Sequence, residues 1–191
     1  MVREAYPIGV PALIMKSSTD RLGESAGYAF HLGTPDEMLR QLASWLLTGA
    51  GEKQSVLLRL VRGLWARHGR EDVALAAILL ANLDHSRLGS DPWQVLASST
   101  RGVEPAEALL LSIEELLRAG RGMPSEAVLL QWCEGRAVDA HMALLASYAG
   151  SVRGSEPSAS LRSALASLEV PVGDSLLGRV KQRLLSPEAQ D

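Results

Sequence analysis

Glu52-Lys53-Gln54-Ser55-Val56-Leu57-Leu58-Arg59-Leu60-Val61-Arg62-Gly63-Leu64-Trp65-Ala66-Arg67-His68 is followed, across Gly69-Arg70, by Glu71-Asp72-Val73-Ala74-Leu75-Ala76-Ala77-Ile78-Leu79-Leu80-Ala81-Asn82-Leu83. In the first segment Val56, Leu57, Leu60, Val61, Leu64 and Trp65 recur at three- and four-residue spacing, which predicts an amphipathic helix over 52–68 with Gly69 as its stop. In the second, Glu71 and Asp72 occupy the first turn, where carboxylates face the positive end of the helix dipole. The run Val73–Leu83 is apolar nearly all round, the pattern of a central, buried helix.

Outward from this pair the pattern repeats. Thr34-Pro35-Asp36-Glu37 opens a helix from Pro35 to about Leu47, with Thr34 as cap, Glu37 reaching back to it, and Gly49 and Gly51 as stops. Downstream starts are expected at Ser90-Asp91-Pro92, Glu104-Pro105, Pro124-Ser125-Glu126, about Arg136, Ser155-Glu156-Pro157 and Asp174-Ser175. Helix pairs beginning near Glu52, Ser90, Pro124 and Glu156 are spaced by 32 to 38 residues, a helical-repeat period. The expectation is an all-α fold, an α-α superhelix of stacked antiparallel helix pairs (a HEAT-like solenoid) with a concave binding wall. It divides into an irregular segment over 1–33 with one or two short helices, a repeat domain over 34–185 and a polar tail over 186–191.

Composition fits that class. Of the 191 residues 47% are hydrophobic and only 4% aromatic, enough to fill one helical core. The longest apolar run is too short for a membrane span. The N-terminus carries Glu4 and lacks a charged region feeding a long apolar stretch, so it does not read as a signal peptide, and cytoplasmic residence is the default expectation. Cys133 is the single cysteine, which excludes an intramolecular disulfide, and beside Trp132 it reads as packing. His31, His68, His85 and His141 show no metal-ligand spacing, so neither a metal site nor a cofactor is expected. Trp45, Trp65, Trp93 and Trp132 all read as core residues, with Trp93 the first to check for exposure.

The net charge of −3 gives no overall pull toward nucleic acid. Its distribution is uneven: Lys53, Arg59, Arg62, Arg67 and Arg70 form a run of five cations without an acid, whereas 103–139 carries seven acids. Arg59, Arg62, Arg67 and Arg70 are therefore the candidate nucleic-acid-binding residues, set against the plainer reading of a solvated helix face.

Gly33-Thr34-Pro35-Asp36-Glu37-Met38-Leu39-Arg40, then Leu60-Val61-Arg62-Gly63-Leu64-Trp65 and Arg70-Glu71-Asp72-Val73-Ala74-Leu75-Ala76-Ala77, resemble the N-terminal half of the bacterial DNA alkylation repair family, the HEAT-like alkylpurine DNA glycosylases. A weaker echo lies at Gln131-Trp132 and Asp139-Ala140-His141-Met142-Ala143-Leu144-Leu145. The resemblance implies a solenoid that grips duplex DNA and, in active members, excises cationic alkylated bases. The site it implies holds a Trp and an Asp one turn apart, with an Arg on the next repeat. An aromatic face attracts the cationic base, and the carboxylate stabilises the developing sugar cation. The corresponding start here, Gly102-Val103-Glu104-Pro105-Ala106-Glu107-Ala108, has no Trp, and Ala108 stands where the carboxylate belongs. The register from Trp93 reaches Ala97, and Asp139-Ala140-His141-Met142 lacks the Arg. The fold is thus carried over and the glycosylase chemistry is not, which leaves Glu104 and Glu107 as the only carboxylates near that region. The leading expectation is a noncatalytic relative that binds duplex DNA. The alternatives are a protein-interaction scaffold of the same fold and an active glycosylase using Glu104 or Glu107.

Overall fold

The computed structural model describes residues 27–171 and 175–186. Among them are ten helices and no strand: α1 Asp36–Ala50, α2 Gln54–Arg67, α3 Arg70–Asn82, α4 His85–Leu88, α5 Pro92–Ser99, α6 Ala106–Arg118, α7 Glu126–Cys133, α8 Ala137–Ser151, α9 Ala159–Ser167 and α10 Leu176–Leu185. Residues 1–26 of the segment expected to hold one or two short helices over 1–33, and residues 187–191 of the tail expected over 186–191, lie outside the described residues. The chain divides into two compact units between Gly120 and Arg121, a division that reading one repeat domain over 34–185 did not mark.

In the first unit α3 is the central helix. Its residues from Glu71 to Ala81 are buried without interruption, from Val73 onward as the apolar run demands. It packs against α1, α2 and α6, while α5 touches both α2 and α3. Its neighbours are one-sided. α2 buries Leu57, Val61, Leu64 and Trp65, and α1 only Leu39 and Ala43. α6 buries Leu109, Ile113 and Leu116. Each such aliphatic side chain contributes about 1.5–3 kcal/mol. A buried acid links α6 to α1: Glu115 accepts from Arg40 at 3.1 and 2.6 Å and also pairs with Arg118. The forked Arg–carboxylate geometry offsets much of the cost of burying the charge.

The second unit repeats the plan on a smaller scale. α8 is buried from Met142 through Ser147 and again at Ala149 and Gly150, and it packs on α7, α9 and α10. Ser125, Ser158 and Ser175 cap α7, α9 and α10, each side chain accepting a backbone N–H from the first turn.

Several boundaries differ from the sequence expectation. α1 begins one residue later than expected, at Asp36, so its cap position falls on Pro35, whose side chain cannot accept a hydrogen bond. It also runs through Gly49 to Ala50. α2 ends not on a glycine but on His68, held in the left-handed region at φ 59° with its Nε2 2.9 Å from the Gly27 carbonyl. Gly69, with an ordinary φ of −77°, instead starts α3. Its purpose is space: a Cβ there would stand 2.2 Å from the Phe30 ring. α4 is an unexpected single turn, capped by Asp84.

Candidate nucleic-acid interface

α2 places its apolar seam against α1 and α3, so the opposite side faces solvent. Val56, Arg59, Arg62, Gly63 and Ala66 are exposed there, and Arg59 and Arg62, one turn apart, share a face. Neither arginine has an ion pair among the described residues. The other two arginines of the expected set are engaged. Arg67 Nε lies 3.0 Å from Asp72 Oδ2, and its guanidinium stands over the Phe30 ring at 5.6 Å. Arg70 lies between Glu107, at 3.5 Å, and Asp36, at 3.9 Å. The structure therefore brings Arg59 and Arg62 together on open surface and ties Arg67 and Arg70 into the fold of the first unit.

The two carboxylates near the expected catalytic region have separate tasks. Glu104 organises its own loop: it accepts from the backbone N–H of Arg101 at 2.7 Å, Gly102 at 2.8 Å and Val103 at 3.1 Å, and from the buried Trp65 indole at 3.1 Å. Partial burial pushes its carboxyl up, but these hydrogen bonds outweigh that and hold it below the ordinary carboxylate range. A group with a depressed folded-state pKa stabilises the fold above its unfolded value and loses that contribution as pH falls. The Tm of the wild type is therefore expected to drop more steeply below about pH 4.3 than that of Glu104→Gln. At neutral pH the variant is expected to be about 1–3 kcal/mol less stable. A thermal-melt series from neutral to acid pH checks both. Glu107 is half exposed and faces Arg70.

A buried acidic pair escaped sequence reading. Glu71 and Asp72 are wholly buried, because residues 28–34 cross over the start of α3. Glu71 Oε1 accepts from Leu32 N at 3.1 Å and Gly33 N at 2.8 Å, with His31 Nε2 at 3.3 Å. The crossing is completed by Ala29 N to His68 O at 2.9 Å and Arg70 N to Phe30 O at 3.0 Å. Tyr28 is buried there, and desolvation first, then the nearby Glu107, raises its phenol well above its usual range.

Of the four tryptophans, Trp65, Trp93 and Trp132 are buried. Trp45 is 53% exposed, which corrects the core assignment. The signal was present: the seam of α1 runs through Leu39 and Ala43, and Trp45 falls off it. Cys133 is partly exposed, its thiol pushed up by desolvation. His85 is held by Leu80 O at 2.7 Å and Ser90 Oγ at 3.0 Å, and burial lowers the pKa of His141. No metal-binding group of three His, Cys, Asp or Glu side chains converges among the described residues.

The fold and this surface define an all-helical protein of two compact units, the first carrying an exposed arginine pair. No helix among the described residues is long and apolar enough to cross a membrane. No family model, curated protein or solved structure matches the chain.

Proposed function

We propose that this chain is a noncatalytic helical-repeat protein, of the kind that stacks HEAT-like helix pairs, and that it binds nucleic acid weakly and without sequence preference through the Arg59 and Arg62 face of α2. One observation carries the reading: Arg40, Arg67, Arg70 and Arg87 each face a carboxylate, whereas Arg59 and Arg62 are exposed with no acid paired to them among the described residues. A planar guanidinium suits a phosphate oxygen pair better than an ammonium does. Glycosylase chemistry draws no support from Glu104, whose carboxylate is occupied by its own loop, or from Glu107, which faces Arg70.

The test is fluorescence anisotropy with labelled duplex DNA at low salt. Log affinity should fall linearly with log salt, and replacing both Arg59 and Arg62 with Glu should flatten the slope by about 1.8, two phosphate contacts at about 0.9 each. Absence of binding up to tens of micromolar, or an unchanged curve for the double variant, refutes the interface. A second reading, a protein-interaction scaffold, is favoured by the exposure of Trp45 and Val56, and it takes first place on that outcome.

A further inference from the structure

α1 ends at Ala50 and α2 begins at Gln54, and the two helices pack on each other as an antiparallel hairpin within the first unit. Residues equally far from the turn of such a hairpin stand side by side, which puts Trp45 of α1 level with Arg59 of α2. Arg62 follows about 4.5 Å further along the axis of α2, three residues at about 1.5 Å each.

The flanking contacts show which way these residues face. On α1, Asp36 and Arg40 reach Arg70 of α3 and Glu115 of α6. At about 100° per residue Trp45 falls about 140–180° from them, on the side toward α2. On α2, Gln54 and Trp65 bond to Asp84 N and Glu104. Val56 and Gly63 fall about 160–180° from those two, on the side toward α1. The solvent side of the hairpin is therefore a shallow groove with Trp45 and Val56 on its walls, Gly63 in its floor and the arginines on the outer face of α2 beside it. All five are exposed, Trp45 to 53%. Glycine inside a helix is less stable than alanine, and a Cβ at Gly63 would meet nothing within 4 Å, so packing does not call for it. What the missing Cβ leaves is room for a ligand to approach the helix backbone.

An exposed indole beside two guanidiniums without ion-pair partners among the described residues combines two functions. The indole offers a face on which any base can stack, and the arginines attract a phosphate backbone. In a duplex the base faces are covered by neighbouring bases, so only the phosphates remain for Arg59 and Arg62 and Trp45 is idle. A single strand offers both at once. An apolar protein surface laid on Trp45 would strip water from Arg59 without supplying a counter-charge.

Resting on the nucleic-acid reading above, we propose that the preferred partner is a single-stranded polynucleotide, with a base stacked on Trp45 and the adjoining phosphates on Arg59 and Arg62.

Fluorescence anisotropy with a labelled mixed-sequence strand of about 16 nucleotides, alone and annealed to its complement, tests it. The single strand should bind about tenfold more tightly than the duplex for one stacked base. Trp45→Ala should bring the single strand down to the level of the duplex, and Trp45→Phe should keep part of the preference. Replacing Arg59 and Arg62 together with Glu should weaken both forms. Because Trp45 is exposed and Trp65, Trp93 and Trp132 are buried, the strand should quench tryptophan fluorescence in the wild type and not in Trp45→Ala. Equal binding of the two forms, or a preference that survives Trp45→Ala, overturns the stacking site and leaves the phosphate contacts standing. Absence of binding to either form overturns both.

Discussion

Replacing Glu71 with alanine is expected to remove about 2–4 kcal/mol of stability, the largest loss for any single side chain near the start of α3. The carboxylate is fully buried and receives the N–H groups of both Leu32 and Gly33. Alanine leaves these two donors without an acceptor, and they regain partners only if residues 28–34 lift into water. Lifting would also open the Phe30 bridge to Gly69 and uncover Tyr28. Glu71→Gln keeps a carbonyl for the two donors and should cost about 1 kcal/mol. Urea unfolding measures the difference, and hydrogen exchange at Leu32 and Gly33 locates it. If alanine and glutamine cost the same, or exchange at those amides is unchanged in the alanine variant, the carboxylate does not hold the segment.

Gly69→Ala is expected to cost about 1–3 kcal/mol through overpacking. The backbone at Gly69 suits any residue, at φ −77° and ψ 148°, so no conformational strain enters. The cost is steric: the added methyl would stand 2.2 to 2.8 Å from three atoms of the Phe30 ring. The ring cannot retreat freely. The Arg67 guanidinium lies over it, and the Phe30 carbonyl accepts from Arg70 N. Pairing Gly69→Ala with Phe30→Ala should remove most of the clash, so the double-mutant cycle should show a coupling of about 1 kcal/mol or more. Additive costs would mean that the ring and the glycine do not press on each other.

Both predictions turn on contacts that local sequence does not encode. Glu71 in the first turn of a helix reads as an exposed acid at the dipole, because what buries it arrives from about 40 residues upstream. Gly69 reads as a helix stop, because left-handed backbone is the commonest reason for a glycine there. His68 takes that conformation instead, helped by the Gly27 carbonyl. Trp45 is the opposite case: its position off the Leu39–Ala43 seam was legible, but the preference of tryptophan for cores outweighed the spacing.

The candidate interface was half legible. Charge and helical spacing placed Arg59 and Arg62 together away from the seam, and both are exposed. Asp72, which pairs with Arg67, stood five residues away in the sequence, but nothing local indicated that Arg70 would meet Asp36 and Glu107, which lie on other helices.

By itself the sequence determined the all-helical class, the burial of α3 from Val73 to Ala81 and the one-sided seam of α2. Each follows from apolar periodicity, a property of neighbouring residues that helix geometry converts directly into a face. Only the tertiary structure decided which acids are buried, which arginines keep their charge open to solvent and where the chain parts into two units. Those outcomes depend on which distant segments meet, and the electrostatics of a side chain depends on what covers it.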